Sequence, residues 1–297
     1  MALHHDAYAL MSGLLAPLTV HYGRSLRFAG QDLPAPARRS VPTRHGRVRV
    51  EVYASPEATA PPVHVHFHGG AFMMRYPRMD DFFCRFLVAE AGVAVVNVDY
   101  LVAPRVRYPV AHEQAHDVVA WLADHAGEWG LDAGRISVGG FSGGGNLAAS
   151  ACLQARDLGT ATPRLQLLAV PSLEVAGDVR DKTATVPHPM IGPGLLATVR
   201  ATYFKDAARR AEPYASPLLV ETVAGLPPTV VFTAERDALR AEGDAFAARM
   251  EGEGLLVEHR VVPGRDHYFL DGRDPVQARR HLDALAAHVH AAHDVTA

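Results

Sequence analysis

The chain has 297 residues, of which 48% are hydrophobic and 21% are charged. This composition is typical of a globular protein with a substantial core and excludes a mainly disordered chain. The formal net charge is only -3, and the 29 basic residues are scattered without forming aromatic-rich basic stripes, so nucleic acid is not expected as a partner.

The first 20 residues do not have the pattern of a signal peptide. Two histidines and an aspartate at positions 4–6 stand where a positive segment would be, and Pro17 interrupts the apolar run. No uninterrupted apolar run approaches the roughly 20 residues that span a bilayer. The two cysteines, Cys84 and Cys152, lie in apolar stretches and are expected to be free and buried. We therefore expect a cytoplasmic protein.

Secondary-structure signals in chain order predict an α/β domain. An antiparallel hairpin is predicted over residues 38–43 and 47–54. After Pro61 and Pro62, short β-rich runs alternate with amphipathic segments. The predicted strands are 63–67, 93–98, 136–139, 165–170, 229–233 and 256–262. The predicted helices are 80–91, 111–125, 146–156, 242–250 and 275–290. This alternation predicts a mostly parallel sheet with helices on both faces.

The segment 173–216 interrupts the alternation. It is richer in proline, glycine and charged residues, and it contains one predicted helix at 195–204. We interpret this segment as a cap inserted over the sheet. The helix-prone residues 1–31 belong to no predicted strand and are assigned to the same cap, so residues 1–297 form a single domain.

The strongest motif is Gly140-Phe141-Ser142-Gly143-Gly144, between the strand at 136–139 and a helix that starts near Asn146. A strand, a G-x-S-x-G turn and a helix are typical of the nucleophile elbow, which exposes a reactive serine. The helix N-terminus would also direct N–H groups toward negative charge. A phosphate-binding turn is the alternative, but no lysine follows Gly145 as a phosphate loop requires. We predict Ser142 as the nucleophile.

The second motif, His68-Gly69-Gly70-Ala71-Phe72, follows the first predicted central strand. Acyl transfer develops an oxyanion, which preplaced backbone N–H groups stabilise, and glycines let the backbone approach it. We predict the amides of Gly69, Gly70 and Gly143 as the donors. An ordinary turn at the end of a strand is the alternative.

Three alternating histidines, His64, His66 and His68, would point to one side of a strand and raise the possibility of a zinc site. No carboxylate or cysteine with matching spacing accompanies them. Histidines that form hydrogen bonds within the core are the alternative that we prefer, and neither a metal nor another cofactor is expected.

The general base is chosen by position, because composition cannot choose among 17 histidines. His267 follows the last predicted strand, where a loop at the carboxyl edge of the sheet would place it above the elbow. The orienting acid should follow the preceding strand, which favours Asp237 over Glu235, with Asp266 as a third candidate. The chain order Ser142, Asp237, His267 is that of α/β-hydrolases.

Together these motifs resemble the hormone-sensitive lipase-like family of bacterial esterases, over about residues 63–270. H-G-G-A-F, the elbow followed by Asn146-Leu147, Arg236-Asp237-Ala238-Leu239, and His267 with two following aromatic residues occur in the family's order. The resemblance implies an α/β-hydrolase fold with an eight-stranded, mainly parallel sheet and a helical cap. It also implies hydrolysis of short to medium acyl esters of small molecules, and it would suit a homodimer formed through a sheet edge.

The sequence departs from the family around the site. Phe141 replaces an acidic residue before the nucleophile, and Gly143 replaces an alanine after it. Leu101 and Arg105 replace an arginine and a glutamate, so that ion pairing nearby must differ. Two other functions stay open at this point: an amidase or deacetylase with the same triad, and a ligand-binding protein on a hydrolase scaffold.

Overall fold

The structure is a computed structural model that describes residues 2–20 and 24–294. In these residues eight strands form one sheet in the order β1-β2-β4-β3-β5-β6-β7-β8. The strands are β1 Ala37–Thr43, β2 Gly46–Tyr53, β3 Pro62–Phe67, β4 Ala94–Asp99, β5 Asp132–Phe141, β6 Gln166–Ala169, β7 Thr229–Ala234 and β8 Leu256–Val262. Strand β2 pairs antiparallel with β1 and with β4, and the other pairs are parallel. The predicted α/β-hydrolase fold is confirmed.

Helices cover both faces of the sheet. The helices of the described residues are α1 Ala2–Thr19, α2 Asp81–Ala91, α3 Val110–His125, α4 Gly143–Leu158, α5 Pro193–Thr202, α6 Arg240–Gly252 and α7 Pro275–His293. One buried cluster joins the sheet to α3, α4 and α6, and a second joins its other face to α2 and α7. Alternation along β4 illustrates the division, because Val96 belongs to the first cluster and Val95 to the second.

Two elements begin three or more residues earlier than the sequence predicts. Strand β5 starts at Asp132, because Asp132 pairs with Pro62 across an irregular register that a search for apolar runs does not detect. Helix α4 starts at Gly143, although glycine is a poor helix former. The start of α4 packs so closely on β3 that glycine is required there, which accounts for the glycines in its first turn. Cys84 and Cys152 are buried in α2 and α4, as expected.

Helix α5 and α1 lie next to each other. His5 Nδ1 lies 3.0 Å from Thr198 Oγ1, and Asp6 forms a salt bridge of 2.9 Å with Arg107. Residues 1 and 21–23 of the predicted cap, and residues 295–297 of the predicted domain, lie outside the described residues. Within residues 2–20 and 24–294, no helix has the length and apolar character needed to cross a membrane.

Candidate active site

The turn between β5 and α4 holds Ser142 in a strained conformation. Its backbone has φ 56° and ψ −118°, which non-glycine residues rarely adopt. The turn packs tightly on β3. A Cβ atom at Gly144 would lie 1.9 Å from the carbonyl oxygen of Phe67, and one at Gly140 would lie 2.4 Å from it. Only glycine fits at these two positions, and this close approach brings the start of α4 against the end of β3.

The loop after β3 lies beside this turn. Gly70 has φ 116°, and a Cβ atom there would lie 2.9 Å from the carbonyl oxygen of Met74. Within the described residues, the amides of Gly69 and Gly70 donate to no backbone carbonyl. A Cβ atom at Gly143 would lie 3.2 Å from the ring of Phe72. The glycine that departs from the family's alanine therefore makes room for an aromatic side chain.

His267 and Asp237 form a buried pair. His267 Nδ1 lies 2.8 Å from Asp237 Oδ2, and the two side chains are 6% and 1% exposed. Asp237 Oδ1 accepts a hydrogen bond of 3.1 Å from the amide of Leu239. Because an ionised carboxylate only accepts hydrogen bonds, Nδ1 carries the proton of the neutral imidazole. Nε2 is then the nitrogen that is able to accept a proton.

The two other acidic candidates contact backbone amides instead. Glu235 accepts a hydrogen bond of 2.6 Å from the amide of Gly264, and Asp266 accepts one of 2.7 Å from the amide of Met190. Both carboxylates hold loops in place, whereas Asp237 contacts the imidazole. The conformations of the loops after β7 and β8 thus give the three carboxylates different partners, and only Asp237 faces His267.

Backbone hydrogen bonds link the loops at the carboxyl edge of the sheet. Ser142 donates to Ala169 at the end of β6, and Ser172 donates to the carbonyl of Ser142. Farther along the edge, Arg236 after β7 donates to the carbonyl of Arg265 after β8. The loops that carry Ser142, Asp237 and His267 therefore all lie along this one edge, where ligands bind in open α/β sheets.

A narrow cavity of about 30 Å³ lies beside Ser142 and Gly143. Its other lining residues are mostly apolar and include Ile191, Leu195, Leu196 and Val199 of the predicted cap. Next to it, a wider cavity of about 610 Å³ is bordered by Asp237 and shares Glu174 and Lys182 with the narrow one. We regard the narrow cavity as the site, because it contains the strained serine.

The three alternating histidines are fully buried. His64 Nδ1 lies 2.9 Å from Ser137 Oγ, His66 Nε2 lies 2.9 Å from Asp80 Oδ2, and His68 Nδ1 lies 2.6 Å from the carbonyl oxygen of Gly69. In the part of the chain that the structure describes, no three His, Cys, Asp or Glu side chains are grouped to hold a metal ion. The histidines serve as hydrogen-bonding groups of the core.

A buried network that the sequence did not indicate connects Tyr203 of the predicted cap to α4 through His112. His112 Nε2 lies 2.7 Å from Asn146 Oδ1, and His112 Nδ1 lies 3.0 Å from the hydroxyl of Tyr203. Because an amide oxygen only accepts, Nε2 donates to Asn146, and Nδ1 accepts from Tyr203. The Tyr203 ring also stacks on Phe72 at 4.9 Å. No motif predicts these contacts, since the residues come from three distant parts of the chain.

The departures from the family have structural counterparts. Phe141 is buried, and its ring lies 5.0 Å from the ring of Phe83. Arg105 is exposed. Asp99 forms salt bridges with Arg75 at 2.6 Å and with Arg49 at 3.2 Å, so cations from other segments neutralise this carboxylate.

Comparison with known proteins places the chain in a family. Residues 64–271 match the family model described as alpha/beta hydrolase fold. Carboxylic ester hydrolase LipN of Mycobacterium tuberculosis is 32% identical over 267 residues, which cover 84% of this chain and 69% of that protein. An arylesterase of Saccharolobus solfataricus is 31% identical, with 77% of each chain covered. The chain belongs to the hormone-sensitive lipase-like family of α/β-hydrolase carboxylesterases.

A solved structure agrees with this assignment over the full length. The thermostable carboxylesterase EstE1, cloned from a metagenomic library, superposes with a TM-score of 0.84 at 29% identity, covering 99% of this chain and 98% of that one. The two esterase relatives named above are 32% and 31% identical to this chain, over 84% and 77% of its length. The chain is therefore a carboxylic ester hydrolase, as predicted.

Proposed function

We propose that Ser142, His267 and Asp237 hydrolyse carboxylic esters through an acyl-enzyme. His267 Nε2 removes the hydroxyl proton as Ser142 Oγ attacks the ester carbonyl, and the tetrahedral oxyanion accepts hydrogen bonds from the amides of Gly69, Gly70 and Gly143. The intermediate then expels the alcohol, which receives the proton from His267. Water that is activated by the same imidazole releases the acid and restores the serine.

The observation that carries this proposal is the buried Asp237–His267 hydrogen bond of 2.8 Å, together with the strained backbone of Ser142. A carboxylate that accepts from Nδ1 fixes the imidazole tautomer with Nε2 available as the base, and it stabilises the imidazolium that forms. The positive φ of Ser142 turns the serine out of the strand at the helix N-terminus. These two features supply an oriented base and an exposed nucleophile.

The lining of the narrow cavity supports esters with short to medium acyl groups. Ile191, Leu195 and Leu196 offer an apolar surface beside Ser142, while the volume of about 30 Å³ leaves little room in this conformation. We infer that the cap segment moves outward to admit longer chains. A series of nitrophenyl esters of increasing acyl length measures this limit, and a matched series of amides separates esterase from amidase activity.

Replacement of the nucleophile tests the proposed mechanism. Ser142→Ala should lower kcat for a nitrophenyl ester by about 10⁴-fold or more, as loss of a triad nucleophile does elsewhere. Ser150→Ala is the matched control, because Ser150 is a buried serine two turns farther along α4. It should retain activity. Labelling of the wild type by a fluorophosphonate, and loss of labelling in Ser142→Ala, would identify the reactive atom. Substantial turnover by Ser142→Ala would refute its role.

A cytoplasmic location and a homodimer stay predictions. Sedimentation of the purified protein would measure the oligomeric state directly.

A further inference from the structure

One charged side chain in the narrow cavity lacks a direct partner. Arg200 lies on α5 and lines the cavity together with Leu195, Leu196 and Val199 of the same helix and with Ser142. Within residues 2–20 and 24–294, its guanidinium donates no hydrogen bond and forms no salt bridge. A cation therefore shares an otherwise mostly apolar pocket with the proposed nucleophile.

Burial has an electrostatic cost at this position. Partial burial lowers the pKa of Arg200, although the carboxylate of Glu174 acts in the opposite direction. An arginine starts from such a high pKa that it stays protonated. A charged group that loses water without gaining a carboxylate is unfavourable by itself, and an incoming anion would relieve this cost.

The carboxylates nearest to Arg200 are engaged elsewhere. Glu174 accepts hydrogen bonds from the amides of Ala176 and Gly177, and its Oε2 lies 3.5 Å from Lys182 Nζ. Lys182 also donates to Glu242, whose other oxygen accepts from the amide of Leu173. Glu174, Lys182 and Glu242 therefore form a closed group, from which no carboxylate turns to Arg200.

The remaining charges nearby do not neutralise Arg200 either. Asp178 forms a salt bridge of 2.5 Å with Arg180. Arg210 donates to the backbone carbonyls of Phe204 and Arg200, which places a second cation next to the backbone of Arg200. Within the described part of the chain, neither Arg200 nor Arg210 forms a salt bridge with a carboxylate. Two neighbouring guanidiniums without a carboxylate partner favour an anion beside Arg200.

We propose that Arg200 binds a carboxylate on the substrate, so that the enzyme prefers esters that carry a second, ionised carboxyl group. This inference rests on the proposed function of Ser142. A guanidinium matches a carboxylate with two parallel hydrogen bonds, which a neutral amide cannot reproduce. Leu195, Leu196 and Val199 would contact the apolar chain between this carboxylate and the ester bond. The helix α5 then selects the substrate by charge as well as by length.

The test compares two esters that differ only in charge. The first pair is a half-ester of a dicarboxylic acid and its neutral carboxamide analogue, with the extra group on the acyl side. The second pair places the same two groups on the alcohol side. The quantity measured is the ratio of kcat/KM for the carboxylate to kcat/KM for the carboxamide. Comparing this ratio between variants cancels the intrinsic reactivity of each ester.

Arg200→Met keeps an unbranched, flexible side chain, shorter by the guanidinium end, and removes its charge. We expect it to lower the selectivity ratio by about tenfold or more in one of the two pairs, and Arg200→Lys to lower it less because the charge remains. The pair that responds identifies the side of the ester that carries the carboxylate. Arg180→Met is the matched control, since Arg180 is an exposed arginine of the same segment. It should leave the ratio unchanged.

The proposal would be overturned by equal ratios in the wild type, Arg200→Met and Arg200→Lys for both pairs. Binding of the same esters to Ser142→Ala protein, with and without Arg200→Met, gives a second readout that needs no turnover. Charge-selective binding that Arg200→Met removes would support the role of Arg200 even if Ser142 were not the nucleophile. Hydrolysis of neutral esters without charge selectivity would leave the esterase mechanism intact and refute the inference.

Discussion

The edge of the sheet and the predicted cap segment hold the proposed site in different ways. At the edge, Gly140 and Gly144 pack directly on the backbone of Phe67. In the cap, by contrast, side chains make the attachments: the hydroxyl of Tyr203 contacts His112, and Lys182 bridges to Glu242. Where two backbones are in contact, almost no other residue fits. A side-chain contact, by contrast, is lost or changed by a single substitution that leaves the backbone in place. The proposed nucleophile is therefore held by backbone contacts, whereas the proposed substrate contacts of the cap depend on side chains that are able to change.

The largest expected effect is the addition of one methyl group at the edge. Gly144→Ala would place a Cβ atom 1.9 Å from the carbonyl oxygen of Phe67. Neither backbone is able to move without disrupting the sheet, so we expect a loss of at least about 3 kcal/mol of stability, or failure to fold, with loss of esterase activity. Urea unfolding and nitrophenyl ester hydrolysis measure both quantities.

The same substitution in the cap provides the control. A Cβ atom at Gly194 in α5 meets nothing within 4 Å. Gly194→Ala should leave the free energy of unfolding equal or raise it by up to about 1 kcal/mol, since alanine favours helix. Equal effects of the two substitutions would contradict the contrast between the edge and the cap.

Acid should destabilise the core of the sheet and its helices. Burial lowers the pKa of His68 to about 4 and that of His112 to about 3, and it holds the pKa of His64 well below its usual value. The unfolded chain binds these protons below pH 6.5, whereas the folded chain does not, so their contribution to stability is complete above pH 6.5 and declines as the pH falls. The loss is about 2 kcal/mol each for His68 and His112 between pH 7 and pH 5, and His64 acts in the same direction.

Glu242 acts in the opposite direction. Burial raises its pKa to about 7, so its contribution to stability is complete below its unfolded value near 4.5 and is lost as the pH rises through 7. Glu242 therefore offsets about one histidine on acidification, and a net loss of a few kcal/mol remains in urea unfolding at pH 5. His64→Asn can still contact Ser137 without titrating, and it should make this loss smaller. An unchanged loss would show that His64 does not contribute.

The smallest expected effect concerns the attachment of the cap. Tyr203→Phe keeps the ring stacked on Phe72 but leaves His112 Nδ1 without its donor and the amide of Ala111 without its acceptor. We expect a loss of about 1–3 kcal/mol in the free energy of unfolding. Tyr214→Phe removes a more exposed hydroxyl that contacts Asp157, and it should cost less than about 1 kcal/mol. A larger effect of Tyr214→Phe would argue against the importance of the buried network.

Element positions in the sheet were predictable because burial leaves a periodic pattern in the sequence. The runs at 229–233 and 256–262 correspond to β7 and β8 almost without adjustment. Strand β5 was underestimated at its start, since Asp132 and the residues that follow it are held by backbone pairing and show no apolar pattern. The cap helix was predicted two residues late, in a segment where apolar and polar residues alternate less regularly.

By itself, the sequence determined the fold and the motifs of the site. The motifs are visible in the sequence because the backbone requires glycine around Ser142 and after β3. These requirements arise from neighbouring residues or from the order of the loops along the chain. The position of Asp237 after β7 favoured it as the acid, but only the tertiary structure shows its contact with His267. The tertiary structure alone also shows that Arg200 shares a cavity with Ser142. These contacts depend on loop conformations and on side chains far apart in the sequence, which a local pattern does not encode.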